Sequence, residues 1–271
     1  MRAALAVCTV VAALSGCGST ATAVVTSTIA AAAQAASAQP PPPQNQEQTA
    51  RSRARAHTEL AAGYFELGNM AVALDEVKEA IKADEDYGPA YNIAGLIYAE
   101  LKEDKLAHEN FQRALRIDAR DSDANNNYGL FLCDRKREGE AIKYFLAALS
   151  NPLYATPDRS YVNAGVCTRR QGDVAAAEGY FLQALKVRPM QPQALYQLAD
   201  IAYARGDATR AKDYLMLLEK VASPGPEVLW LWLRVERKLG DRDAEASYAA
   251  QLRRSFPNSK EASALLAGRY E

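Results

Sequence analysis

Histidine is almost missing from this chain: His57 and His108 are the only two in 271 residues. Neither has an acidic or cysteine partner at metal-ligand spacing, so a zinc site or a histidine-based catalytic centre has no framework. No Gly-x-Ser-x-Gly elbow, phosphate-binding glycine loop or His-Glu-x-x-His stretch occurs. The carboxylates of Asp84, Glu85 and Asp86 fall in an expected turn between helices, where solvated charge accounts for them. An excess of one charge is missing too: 32 basic residues against 33 acidic ones leave −1, which speaks against nucleic acid as a partner. Cysteine stops at four, and no two form a Cys-x-x-Cys, so thiol–disulfide catalysis is disfavoured. The expectation is a non-catalytic protein without metal or cofactor.

What is present begins with MRAALAVCTVVAALSGCGST. Arg2 gives a positive amino end, and Ala3 to Leu14 is an apolar core of about a dozen residues, short of the roughly 20 that span a bilayer. Leu14-Ser15-Gly16-Cys17 resembles the lipobox of bacterial lipoproteins, in which the cysteine is acylated and becomes the first residue of the mature chain. Residues 1–16 are then a signal peptide and Cys17 the lipidation site; an ordinary secretory signal and an uncleaved anchor are the alternatives. Cys8 is a poor rival, since bulky Val7 precedes it and a cut there halves the apolar core. Residues 17–53 are rich in Ala, Thr, Ser and Gln, with a run from Pro40 to Pro43 and no amphipathic period. Such a segment buries too little apolar surface to offset its ordering entropy. It is expected to be a disordered tether with an end-to-end distance of roughly 30–40 Å. A weak helix or part of an anchor over Ala21 to Ala38 is the minority reading.

From Ala54 a repeat sets in. LAAGYFELGNMAVALDEVKEA (Leu60 to Ala80) aligns with five later stretches starting at Ala94, Tyr128, Ala164, Leu198 and Trp232, which lie 34, 34, 36, 34 and 34 residues apart. Small residues at Ala61, Gly95, Gly129, Gly165 and Ala199, and again at Ala73, Ala107, Ala141, Ala177 and Ala211, let paired helices approach closely. Phe111, Phe145, Phe181 and Leu215 fill the gap one turn later on the same stripe. Gly68, Gly172, Gly206 and Gly240 sit where a left-handed residue closes a first helix. Period and residue types resemble the tetratricopeptide repeat. The resemblance implies an all-α, right-handed superhelical solenoid of six units, 54–87, 88–121, 122–155, 158–191, 192–225 and 226–259, followed by a tail, 260–271. Glu245 and Leu233 depart from the pattern in the sixth unit, as an atypical capping repeat does. Two extra residues fall between Asn151 and Ser160.

The runs NNNYGLFLCDRKREGEAIKYFLAAL (Asn125 to Leu149) and YVNAGVCTRRQGD (Tyr161 to Asp173), with the lipobox and tether, are similar to the type IV pilus biogenesis lipoproteins, the pilotins of the pilus secretin. That resemblance implies a protein carried by the lipoprotein-sorting machinery to the periplasmic face of the outer membrane. There it binds secretin subunits and promotes their localisation and assembly. A different periplasmic repeat lipoprotein, accessory to β-barrel assembly or to cell-wall enzymes, is the alternative.

Two sets of site residues follow. First helices of such arrays line the concave face, and by register that face holds Phe65, Asn92, Leu96, Asn126 and Leu130. Amides there suit a partner backbone and apolar groups its side chains; packing between repeats is the competing role for Leu96 and Leu130. Cys133 and Cys167, 34 residues apart, fall near one level of adjacent first helices in a compartment where disulfides persist. A disulfide between them is expected, with a pair of buried free thiols as the alternative.

Overall fold

The computed structural model describes residues 43–270, and among them every element is a helix. Cys17, the signal region and most of the tether lie outside the described residues. Six antiparallel pairs follow one another: α1 (Pro43–Glu66) with α2 (Met70–Ala83), α3 (Gly88–Glu100) with α4 (Asp104–Ile117), and α5 (Ser122–Asp134) with α6 (Glu138–Leu149). Then come α7 (Pro157–Arg170) with α8 (Val174–Val187), α9 (Pro192–Ala204) with α10 (Ala208–Glu219), and α11 (Pro226–Leu239) with α12 (Arg242–Ser255). A short α13 (Lys260–Leu266) ends the array.

Each pair is held by a size-matched contact. A Cβ added to Gly95 would meet the Phe111 ring at 2.7 Å, one at Gly129 the Phe145 ring at 2.7 Å, and one at Gly165 the Phe181 ring at 2.6 Å. Only glycine fits opposite phenylalanine. Where the large partner shrinks to Val77 or Leu215, the small one grows to Ala61 or Ala199, all nearly or fully buried. The sixth unit inverts the pair, with Leu233 fully buried and Ala249 at the position of the aromatic ring. Interior volume is conserved while the residue types trade places.

The turn between first and second helices is left-handed in every unit. Gly68, Gly172, Gly206 and Gly240 take φ of 75°, 92°, 93° and 84°, and the second and third units place Lys102 at 64° and Lys136 at 60° in the same role. A side chain in that conformation crowds the following carbonyl. Lys136→Gly is expected to raise the unfolding free energy by about 1 kcal/mol, the strain removed exceeding glycine's entropy cost. Chemical denaturation with an unchanged slope checks it; a lower midpoint would contradict it.

Both ends differ from the sequence expectation. The expected tether to residue 53 gives way to helix at Pro43. Proline suits a first helical position, and Gln, Glu, Ala and Arg propagate a helix without an apolar stripe. Arg51 then ties this extension down, its guanidinium 5.5 Å from the Tyr87 ring centroid and 3.7 Å from Asp84 Oδ2. The expected tail is a capping helix. Ser259 accepts from the Ala262 amide at the start of α13, Ala262 and Leu265 are buried against α11 and α12, and Tyr270 stacks on Trp230 at 5.8 Å. Seven helical residues carry too short a period to stand out, yet they cover the last core.

The two extra residues form a turn after α6. Asn151 Oδ1 accepts from the Leu153 amide and Asn151 Nδ2 donates to Ser122 Oγ at 3.1 Å, so the turn is bonded back to α5. Stacking continues across it, α7 packing on both α5 and α6.

Candidate partner-binding face

Successive first helices touch one another, α1 on α3, α3 on α5 and so on to α11, whereas successive second helices do not. The first helices therefore form the crowded inner layer, and their outward residues line the concave side. Its chemistry changes along its length.

In the second to fourth units the lining is apolar residues over an amide ladder. Asn127 Nδ2 donates to Asn92 Oδ1 at 3.2 Å, and Asn126 Nδ2 to Asn127 Oδ1 at 3.3 Å. Asn126 Oδ1 accepts from both Ser160 Oγ, at 2.8 Å, and Asn163 Nδ2, at 3.0 Å. This corrects the role expected of two residues. Asn92 and Asn126 are 6 % and 7 % exposed, and their groups join α3, α5 and α7 to one another instead of being offered to a peptide. The partly exposed Asn127 and Asn163, which the repeat register passes over, keep free amide capacity. Phe65 is half-buried against the core of the first two units, and Leu96 is half-buried against Phe111, Tyr128 and Cys133 and their neighbours. Leu130, 39 % exposed, is the one of the five that projects freely.

Cys133 and Cys167, both buried, are joined by a disulfide with Cα atoms 5.9 Å apart, which ties α5 to α7 beneath this face. Beside it, Arg170 Nη1 donates to Asp134 Oδ1 at 2.9 Å and reaches the Cys133 carbonyl at 3.4 Å. Arg169 points the other way, to Gln197 Oε1 at 2.7 Å and Asp200 Oδ2 at 2.5 Å on α9. The last turn of α7 thus grips both neighbours.

In the fifth and sixth units the face becomes aromatic and cationic. Arg234 lies 4.7 Å from the Tyr203 ring centroid and 5.9 Å from that of Trp230, Lys238 is 5.4 Å from Tyr203, and Arg237 is 3.8 Å from Tyr270. Burial, then the charges of Asp200 and Glu227, push the Tyr196 hydroxyl above its ordinary range and keep it a donor. Sequence reading missed this half of the face, although Arg169, Tyr203 and Arg237 occupy one repeat position in consecutive units.

Both histidines are taken up in hydrogen bonds between helices. His57 Nδ1 lies 2.7 Å from Glu76 Oε2, and His108 Nδ1 lies 2.6 Å from the Tyr128 hydroxyl. Burial, with Tyr144 adding to it, pushes that hydroxyl up to about 12. Among the described residues no group of three His, Cys, Asp or Glu is placed to hold a metal ion, and no helix is long and apolar enough to cross a membrane.

Models of the tetratricopeptide repeat match residues 88–121, 105–159 and 169–225. The type IV pilus assembly protein PilF of Pseudomonas aeruginosa is 31 % identical over 205 residues, which cover 76 % of this chain and 81 % of that protein. The crystal structure of PilW, a widely conserved type IV pilus biogenesis factor, is 32 % identical with a TM-score of 0.71, covering 79 % of this chain and 98 % of that one. The structure of P. aeruginosa PilF superposes with a TM-score of 0.75 at 30 % identity, over 82 % of this chain and 99 % of that one. Similarity of that extent goes well beyond a single repeat, and the chain belongs to the tetratricopeptide-repeat family of type IV pilus biogenesis proteins that includes PilF and PilW.

Proposed function

We propose that the chain is a pilotin: a lipoprotein, acylated at Cys17, that binds the type IV pilus secretin and promotes its localisation and assembly at the outer membrane. Its work is binding and delivery, with no bond made or broken. The observation that supports it most is the extent of the match, since PilW and PilF align over 98 % and 99 % of their lengths and not over one generic repeat. The concave face supplies the means. Repeat solenoids bind along such faces, and here Leu96, Leu130, Asn127 and Asn163 offer apolar and amide groups together.

Acylation supplies the address. Several acyl chains hold a protein stably on a bilayer where a single one holds marginally. Gly18 after Cys17 lacks the aspartate that favours inner-membrane retention in enteric bacteria, which favours handover to the lipoprotein-sorting machinery and the periplasmic face of the outer membrane. Cys17→Ser is expected to leave thermal unfolding of the array unchanged and to remove the protein from the outer-membrane fraction. Persistence there in cells lacking the secretin would contradict the lipid anchor.

A further inference from the structure

The second helix of the second unit, α4, turns charge outward on the convex side, with Lys105, Glu109 and Arg116 exposed. The third to fifth units do not follow it. The residue after each of the buried Phe145, Phe181 and Leu215 is apolar and exposed: Leu146 at 47 %, Leu182 at 36 % and Met216 at 49 %. Two turns earlier, on the same stripe of each helix, stand Gly139, Ala175 and Thr209, also exposed and all small. A row of large apolar groups thus runs across α6, α8 and α10 about 10 Å from a row of small uncharged ones. We propose that this face is a self-association surface, on which a second copy of the chain packs antiparallel, α8 against α8, about a two-fold axis near Gly179. It does not depend on which partner the concave side binds.

The pattern is complementary to itself, which is what a two-fold contact between identical surfaces requires. A half-turn about Gly179 reverses the helix direction and exchanges the places of α6 and α10. Leu182 then lies on the partner's Ala175, Leu146 on the partner's Thr209, and Met216 on the partner's Gly139. A large side chain meets a small one each time, so the rows interdigitate instead of colliding. Gly179 lets the two α8 helices approach at the axis, and a Cβ added to it would meet nothing within 4 Å.

Charge selects a copy of the chain over other occupants. Lys143 and Asp213 occupy the level of Gly179, one on each side of it, and both are exposed. Neither enters an ion pair among the described residues; Glu140, one turn from Lys143, is held by Arg137, and Lys212, beside Asp213, is held by Glu236. The half-turn sets Lys143 opposite the partner's Asp213 at both edges of the contact. An anionic lipid surface would be repelled by Asp213, and a partner of uniform charge would meet like charge at one edge. Three helices spaced about 10 Å apart, with the two rows on them, offer roughly 400–500 Å² per copy. That is the low end for a specific contact, so a weak dimer is expected.

Sedimentation equilibrium of the mature full chain, prepared without acyl groups so that lipid drives no association, tests this. The native chain is expected to reach the mass of a dimer with a dissociation constant of about 100 μM or less. Lys143→Glu and Asp213→Lys each turn two attractions into repulsions, and each is expected to weaken association about tenfold or more. The two combined are expected to restore it to within about threefold of the native value, because the exchanged charges again meet across the axis. Circular dichroism should stay native, since both side chains are exposed. Gly179→Cys places two sulfurs at the axis and is expected to give a disulfide-linked dimer under mild oxidation. A native chain that stays monomeric at about 1 mM, single variants that associate like the native chain, a double variant no better than the singles, or a Gly179→Cys chain that does not cross-link would each overturn the proposal. So would binding of the monomer to vesicles of phosphatidylethanolamine and phosphatidylglycerol that is lost in Leu182→Asp, which would assign the face to lipid.

Discussion

Phe145→Ala is expected to lower the unfolding free energy by about 3–5 kcal/mol, the range for truncating a fully buried aromatic ring. The ring is completely buried within a core that includes Tyr128, Phe131, Cys133, Ala141 and Cys167, and it lies directly over Gly129. The small partner cannot refill the space. Glycine has no side chain to relax into the cavity, so little of the lost dispersion contact is recovered. Neighbouring units stabilise each other through shared interfaces. The damage therefore falls on the second to fourth units, and unfolding should separate into two steps, the fifth and sixth units melting last. Denaturation followed by tyrosine and tryptophan fluorescence checks this, because Trp230 and Trp232 report only the carboxyl-terminal end. A loss under 1 kcal/mol would mean that the paired helices do not depend on the ring.

Replacing both bonded cysteines, Cys133→Ala with Cys167→Ala, is expected to cost about 3–4 kcal/mol, the chain-entropy value for a loop of this length. The bond joins α5 to α7 across the junction that carries the two extra residues. Other ties there are the apolar core that α7 shares with α5 and α6, the Asn126 bonds to Ser160 and Asn163, and the Arg170–Asp134 pair. Those bonds hold register, and the covalent link limits how far the unfolded chain can open. Reduction should therefore mimic the double replacement. Equal midpoints for oxidised and reduced protein would show that the bond contributes nothing to stability.

How much of this was readable follows from the range of each contact. Glycine and phenylalanine sixteen residues apart meet within one unit, so the spacing alone carries the close approach, as at Gly129 and Phe145. Cys133 and Cys167 lie 34 residues apart where the unit starts lie 36 apart, so they are two register positions off, which keeps them near one level of adjacent first helices and turns them about 200° around the axis. The concave residues were harder. Register put Asn126 at a lining position, but its burial depends on Ser160 and Asn163 from the next unit, and no period within α5 encodes that. Arg234 shows the same limit, since the Tyr203 ring that it packs on comes from α9, in the preceding unit. At the ends, the apolar stripe failed as a guide for opposite reasons. The start of α1 is a helix with no stripe to see, and α13 has its stripe, Ala262 and Leu265, within only seven residues.

Binding of solubilised secretin subunits to the purified mature chain, compared with its Leu96→Ser, Leu130→Ser variant, tests the proposed role most directly. The native chain is expected to bind, and the variant to bind about tenfold or more weakly, as loss of apolar contacts at a central contact does, with helicity unchanged. Failure of the native chain to bind, or equal binding by the variant, would contradict it.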